Sequence, residues 1–152
     1  MRRTDRETDR NFALEVMDKC AWAVLSMADS DEPYAVPLSI ARDGEKVYFH
    51  CALVGAKTDM LRKNSRVCLV CVGDVQPSAT DFSTGYESAI AFGEAREVTC
   101  DEEKTKALYL ICARYTPELM HLFQDAISRS LKATAVWCVD IETVTGKRKA
   151  IG

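Results

Sequence analysis

The sequence predicts a mainly β fold with some α-helix: a six-stranded antiparallel barrel with flanking helices. Six segments alternate apolar and polar residues or are rich in β-branched and aromatic residues. Apolar residues at helical spacing occur at the start of the chain, after the third strand and before the last. Each predicted strand can pair antiparallel, and closing the sheet would remove its exposed edges. Because such a barrel has a narrow interior, a large ligand would bind outside it or at a subunit boundary.

The first predicted elements are a helix and a hairpin. Thr4 and Glu7 have the spacing of a capping box. The apolar stripe that follows comprises Phe12, Ala13, Val16, Met17 and Cys20. Residues 21–27 form the first strand, and a polar turn leads into the second strand, residues 34–41. Pro37 cannot donate a backbone hydrogen bond, so it belongs at an edge, at a bulge or where the backbone faces a ligand.

The middle of the chain supplies three more strands, at residues 47–52, 66–72 and 88–98. Asp43 and Gly44 make the tight turn before the first of these strands. The polar stretch 73–84 is predicted to be a loop.

Two helices and a strand complete the prediction. Thr99 and Glu102 form a second capping box, which opens a helix that stops before Pro117. Pro117 suits the first position of another helix. That helix would bury Leu119, Met120, Leu122, Phe123 and Ile127. Residues 134–145 return to a strand whose shared face comprises Ala135, Trp137, Val139 and Ile141.

Length and composition predict one domain, residues 1–152, in the cytoplasm. A chain of 152 residues that is 47% hydrophobic can build a core without disulfides. The formal net charge of -3, with both signs scattered, provides no broad basic field and argues against nucleic-acid binding. No segment has the length of a membrane span, and no apolar signal-peptide core follows the basic N-terminus.

Seven cysteines favour reduced thiols, because the number is odd and the chain is large enough to fold without disulfides. Cys68 and Cys71 form a C-x-x-C motif inside the fourth strand, where alternation would point the two thiols to opposite faces. No second ligand pair follows at zinc spacing. We therefore predict structural thiols and no metal site.

The turn after the third strand is the main functional signal. Gly55 allows the backbone to turn tightly, and a helix that begins there would present unpaired amides and the positive end of its dipole. Such a helix start binds phosphate, to which Lys57 could add a charge and Thr58 a hydroxyl donor. An ordinary strand–turn–helix joint with a solvated lysine would explain the same residues.

Three blocks of sequence, residues 34–64, 86–98 and 139–147, carry a resemblance to a known family. In this order they resemble the flavoproteins related to pyridoxamine 5'-phosphate oxidase, and more narrowly the nitroimidazole-resistance branch. The resemblance extends from about Ala21 to Gly146. It implies an FMN-binding split β-barrel that forms a homodimer, with FMN bound at the subunit interface.

The resemblance also implies a set of site residues. Lys57, with Thr58, would contact the FMN phosphate at the turn where the residues themselves predict an anion site. The strand along the isoalloxazine ring would contribute Val36, Pro37, Leu38 and Ser39. The residues flanking the ring and the ribityl chain would be Phe49, His50, Cys51 and Ala52. Glu87 and Ser88 would come from the partner subunit.

His50 is the candidate catalytic residue. A histidine beside a flavin can donate or accept a proton during two-electron reduction, because its ordinary pKa lies near neutrality. In the nitroimidazole-resistance branch the matching histidine lies beside the flavin. A strand-end histidine that is hydrogen-bonded to backbone is equally compatible with the sequence. His121, on the apolar helix, is predicted to be a surface or core residue.

These features favour an FMN-dependent oxidoreductase that reduces a small electron acceptor such as a nitroaromatic or a quinone. There is no Gly-rich dinucleotide fingerprint, so NADH or NADPH would visit transiently. The chain ends in GKRKAIG, without the arginine-and-histidine motif of true pyridoxamine phosphate oxidases, so we do not expect vitamin B6 oxidation. The alternatives are a non-catalytic flavin- or haem-binding carrier or sensor, a deazaflavin-dependent reductase, and a dimeric barrel with a vacant site.

Overall fold

The computed structural model describes residues 2–150, which form eight β-strands and four α-helices. The strands are β1 (Glu7–Thr8), β2 (Ala23–Asp29), β3 (Glu32–Leu38), β4 (Ala41–Asp43), β5 (Lys46–Cys51), β6 (Arg66–Pro77), β7 (Thr84–Glu97) and β8 (Ala135–Lys149). The helices are α1 (Arg10–Lys19), α2 (Ala56–Lys63), α3 (Asp101–Tyr115) and α4 (Phe123–Ser130). Short 3-10 helices cover Thr4–Arg6, Pro117–Leu122 and Leu131–Ala133.

All the strand pairs are antiparallel, and the sheet order is β3-β2-β6-β7-β8-β5-β4, with β1 added on β8. The predicted class, mainly antiparallel β with flanking helices, is confirmed, but the described chain has eight strands instead of six and its sheet is not closed. The predicted second strand divides into β3 and β4, which lie at the two ends of the sheet, and no ladder joins them within residues 2–150. The division has a local cause. The Ile40 N–H donates to Tyr115 Oη at 3.2 Å and its carbonyl accepts from Arg114 at 2.8 Å, so side chains of α3 occupy backbone groups that a strand would use.

Both predicted capping boxes are wrong. The carboxylate of Asp9 accepts from the Phe12 N–H at 2.8 Å, so α1 begins at Arg10, and Glu7 pairs with β8 instead of capping a helix. The third helix begins at Asp101, after the predicted cap Thr99. Its first turn contains three acidic residues, which suit the positive end of the helix dipole.

Half of the stretch predicted as a loop at 73–84 is strand. β6 and β7 continue past a bulge between Val72 and Val75 and pair as far as Pro77 and Thr84. The polar composition of this stretch gives no strand pattern, because the two strands satisfy their backbone groups by pairing with each other and need no apolar face. The predicted helix at Pro117 is present, and its first six residues are a 3-10 helix. Of the residues it was predicted to bury, Leu119 and Leu122 are exposed.

The core lies on both faces of β8. On one face α1 packs the fully buried Ala13, Val16 and Met17 against the sheet. On the other face α3 covers the sheet through Ala107, Leu108 and Ile111. The motif cysteines point to opposite faces as predicted: Cys71 is fully buried and Cys68 is half-buried. Among the described helices, none is both long enough and apolar enough to cross a membrane.

A charged network joins α3 to the sheet. Glu103 accepts two hydrogen bonds from the Arg96 guanidinium, at 2.6 and 3.0 Å, and one from Tyr48 Oη at 3.0 Å. Arg96 also donates to Asp140 at 3.2 Å. The Arg96 guanidinium, with help from Tyr48, lowers the pKa of Glu103 to about 2.

This network predicts a pH-dependent contribution to stability. Replacing Glu103 with glutamine should lower the free energy of unfolding by about 1 kcal/mol at pH 7, a modest value because Arg96 is partly exposed to solvent. The carboxylate is more acidic in the folded chain, so its contribution is present above about pH 4.5 and is lost as the pH falls toward 2. Urea unfolding across this range measures the difference. The exposed neighbour Glu102, changed to glutamine, is the control; equal effects of both substitutions at pH 7 would contradict the prediction.

Candidate functional site

A cleft of about 210 Å³ lies where β5 ends and α2 begins. Its lining comprises Tyr34, Cys51, Ala52, Val54, Gly55, Ala56, Lys57 and Thr58. Tyr34 comes from β3 at the end of the sheet, and the other residues come from the end of β5, the start of α2 and the turn between them. The cleft therefore contains the predicted turn, with Cys51, Ala52, Lys57 and Thr58, whereas the predicted residues 36–39 of the other segment do not line it.

The N-terminus of α2 opens into this cleft. Gly55 has a φ of +149°, a conformation that side chains rarely adopt, and space around it is free, so backbone geometry is the reason for glycine here. The first backbone hydrogen bond of the helix runs from the Asp59 N–H to the Gly55 carbonyl at 3.0 Å. The amides of the three preceding residues, Ala56, Lys57 and Thr58, have no acceptor within the helix. They form a ready anion site at the positive end of the helix dipole.

The Thr58 hydroxyl is used inside the chain. Thr58 is 1% exposed, and its Oγ1 donates to the Gly55 carbonyl at 2.8 Å. The hydroxyl donor that the sequence predicted is thus occupied in closing the first helical turn. What Thr58 can offer an anion is its backbone N–H.

Lys57 supplies a positive charge that the described chain does not neutralise. The other basic residues of α2, Arg62 and Lys63, pair with Glu97 and Asp29, whereas Lys57 has no carboxylate partner within residues 2–150. Its Nζ lies 5.6 Å from the centroid of the Phe49 ring, a cation–π contact. Phe49 is fully buried, so its ring supports Lys57 and any contact of Phe49 with a ligand falls to its backbone.

His50 lies next to the cleft at the end of β5, and its side chain is exposed. Partial desolvation of the ring and the nearby charge of Lys57 lower its pKa from the ordinary value of 6.5, so the imidazole is mainly neutral at pH 7. No hydrogen-bond partner of the His50 ring occurs in the described part of the chain. His121, in contrast, is exposed, and its Nδ1 contacts the Glu118 carbonyl at 3.0 Å. Of the two imidazoles, only that of His121 is hydrogen-bonded within residues 2–150.

The strand β3 presents two kinds of side chain. Val36 and Leu38 are half-buried against the core together with Tyr34, whereas Pro37 is exposed. β3 pairs with β2 on one side, with Pro37 opposite Val24, and lies at the end of the sheet order. The predicted edge position of Pro37 is therefore confirmed. Ser39 follows the strand and is half-buried.

Glu87 and Ser88 do not line this cleft within one copy of the chain. Cys51, which lines the cleft, pairs with Ala135 at the start of β8, whereas Ser88 pairs with Lys147 near its end. Glu87 forms ion pairs with Lys19 and with Arg148. The structure therefore does not bring these two predicted residues together with the cleft of their own chain.

Three cleft residues, Tyr34, Val54 and Ala56, were missed by the sequence reasoning, and Tyr34 is the one that comes from another strand. It lies on the same face of β3 as Val36 and Leu38, at two-residue spacing. The resemblance placed residues 36–39 beside a ligand, and strand alternation from Val36 would have added Tyr34.

The sequence profile described as pyridoxamine 5'-phosphate oxidase matches residues 9–148. The chain belongs to this family. The resemblance of the three sequence blocks is thereby confirmed at the level of the family. Among curated proteins no match was found.

Solved structures share the fold of this family member. A candidate 5-nitroimidazole antibiotic resistance protein of Bacteroides thetaiotaomicron is 23% identical, with a TM-score of 0.76 over 92% of this chain and 84% of its own. An FAD and heme binding protein of Mycobacterium smegmatis is 18% identical, with a TM-score of 0.81 over 96% and 74%. The flavocytochrome Anf3 of Azotobacter vinelandii is 21% identical, with a TM-score of 0.77 over 94% and 68%. At these identities the similarity establishes the fold.

Proposed function

We propose that this protein is an FMN-dependent oxidoreductase that reduces a small electron acceptor, such as a nitroaromatic or a quinone, as a homodimer. The observation that carries the proposal is the free charge of Lys57 beside three unpaired amides at the start of α2. A phosphate monoester satisfies both features at once, since it carries up to two negative charges and accepts several hydrogen bonds. Family membership and the names of the flavin-binding structural relatives support a flavin as the rest of the ligand.

The size of the cleft supports a shared site. At about 210 Å³ it is smaller than the roughly 300–1,000 Å³ of typical ligand pockets, so it suits the phosphate and part of the ribityl chain. The isoalloxazine ring would extend along β3, past Val36, Pro37, Leu38 and Ser39. Another surface must cover the ring there, and a second copy of the chain can supply it.

An exposed apolar face on the sheet supports the homodimer. Val24 pairs with Val70, which pairs with Ile90, so three apolar side chains form a row across β2, β6 and β7. Trp22 and Phe92 extend the same face and are 63% and 48% exposed. We call these five residues the apolar sheet face. Exposed apolar surface of this extent marks interaction sites. In a two-fold dimer packed through this face, the strands of the two copies would run in opposite directions. This arrangement would bring Glu87 and Ser88 of one copy to the cleft of the other.

FMN, when bound, supplies the two-electron chemistry, and the chain supplies binding, orientation and a proton site. Lys57 and the amides of α2 hold the phosphate. As the two electrons pass to the acceptor, the neutral imidazole of His50 would accept the proton released with them and donate it to the reduced acceptor. Cys51 and Ala52 line the cleft between these two groups.

A spectroscopic experiment tests the proposal. Purified protein is expected to show flavin absorbance, or to acquire it on incubation with FMN, and to oxidise NADH or NADPH with a nitroaromatic or quinone acceptor.

A haem- or flavin-binding carrier is the second candidate function, because two structural relatives are named for heme as well as flavin. Bound flavin that neither nicotinamide reduces faster than free FMN under anaerobic mixing would favour the carrier, and preferential binding of deazaflavin would favour a deazaflavin reductase. Protein that stays colourless with all these cofactors would contradict the proposal.

The role of His50 gives a further prediction. Replacing His50 with glutamine should lower kcat about 100-fold while the dissociation constant of FMN changes little, because proton transfer is lost and the phosphate contacts remain. In the unmodified protein, kcat should rise as the pH increases through a pKa below 6.5 and then level off, since the neutral imidazole is the active form. This step should be missing in the variant. The control is His121 changed to glutamine; an unchanged pH profile in the His50 variant would contradict the assignment.

A further inference from the structure

The β6–β7 hairpin ends in an arm that extends beyond the rest of the sheet. Toward the hairpin turn, the pairing of β7 with β8 ends at Tyr86, which lies opposite Lys149. Beyond this point the pairs Gln76–Gly85 and Pro77–Thr84 continue, and no third strand flanks them in the part of the chain that the structure describes. An isolated two-stranded hairpin is marginally stable in water. The arm therefore gains from a surface to lie on.

The tip of the arm is well organised by hydrogen bonds. The Ser78 N–H donates to the Ser83 carbonyl at 2.9 Å. The Ser78 Oγ accepts from the N–H groups of Thr80 and Asp81, at 3.3 and 3.0 Å. This turn holds Phe82 fully in solvent, at 114% relative exposure, higher than any other large apolar side chain described. A structured turn that holds an aromatic ring away from its own chain is suited to insertion into another surface.

The cofactor cleft has a matching exposed apolar pair on its rim. Leu53 and Val54, in the turn between β5 and α2, are 44% and 79% exposed. Val54 lines the cleft directly. Phe82 cannot cover this rim within one copy, because it lies even farther along the sheet than Ser88. The two-fold arrangement proposed above, which brings Ser88 of one copy to the cleft of the other, carries the arm toward the same rim.

We propose that Phe82 of one copy packs on Leu53 and Val54 of its partner and closes the mouth of the partner's cofactor cleft. The contact rests on the proposed function, since it requires the homodimer with a shared flavin site. By symmetry it forms twice, once over each cleft. Phe82 is thus a positioning residue for the rim of the site and restricts which acceptors reach the flavin.

Photo-crosslinking tests the contact. We expect p-benzoylphenylalanine in place of Phe82 to give a band of twice the chain mass, with the crosslink in the partner's tryptic peptide 47–57. The same photoreactive residue in place of Tyr109, an exposed aromatic residue on α3, should not label that peptide. Replacing Phe82 with serine should raise the dissociation constant of FMN about tenfold and make bound flavin more accessible to quenching by iodide, while the Tyr109→Ser control changes neither.

The outcomes separate this inference from the proposed function. A dimer that binds flavin but crosslinks within one chain, or at a peptide away from the β5–α2 turn, would overturn the Phe82 contact alone. A monomer without flavin would overturn both. Unchanged FMN affinity and unchanged iodide quenching in the Phe82→Ser variant would also count against closure of the cleft by this ring.

Discussion

Replacing Lys57 with glutamate is expected to abolish retention of FMN during purification and to raise its dissociation constant at least about 100-fold, or about 3 kcal/mol. The substitution puts a negative charge where the proposed phosphate binds and removes a cation that has no carboxylate partner in residues 2–150. Flavin fluorescence titration measures the change. In the unmodified protein, affinity should fall as salt increases, because the contact is partly electrostatic.

The folded chain should tolerate this substitution. Lys57 lies at the start of α2, where a glutamate suits the helix dipole, so the melting temperature should not fall. Lys132, which lies in the 3-10 helix after α4, provides a control with the same change of charge when replaced with glutamate. A Lys57→Glu variant that retains FMN at the normal level would show that the start of α2 does not bind the phosphate.

Replacing Ile90 with lysine is expected to convert the homodimer to a monomer and to remove FMN with it. Ile90, Val70 and Val24 form the row that crosses the apolar sheet face. In a two-fold interface the substitution would bury two like charges near each other, and each buried ion costs several kcal/mol. The dimer dissociation constant should rise at least about 1,000-fold, and sedimentation velocity measures it.

The variant monomer should remain folded, because Ile90 is 37% exposed in the single chain and its substitution creates no cavity in the core. Circular dichroism during heating checks this point. Tyr109, exposed on α3 away from the apolar sheet face, serves as the matched site for the same substitution to lysine. An Ile90→Lys variant that remains a dimer with bound flavin would place the interface elsewhere.

Local sequence patterns predicted most of the strands and the start of α2, because these depend on neighbouring residues. Alternation identified β2, β5 and β8, and Gly55 marked the residue before the start of α2. The helix starts were less predictable. Asp9 and Thr4 are both competent caps, and pairing of β1 with β8, which is distant in sequence, decides between them.

Tertiary contacts decided the parts of the site that could not be predicted. The burial of Phe49 under Lys57 depends on packing across the sheet. The Glu87 carboxylate is paired with Lys19, which lies 68 positions earlier in the chain, and no local pattern links the two. The arm that carries Phe82 is polar in sequence, and backbone pairing rather than side-chain pattern makes it a hairpin.

Native mass spectrometry of the purified protein tests the central claim most directly, because it reports the number of chains and the mass of the bound ligand together. The site described here predicts two chains that carry two molecules of FMN, and loss of both ligands when Lys57 is replaced with glutamate. A single chain without any flavin, after incubation with excess FMN, would contradict it.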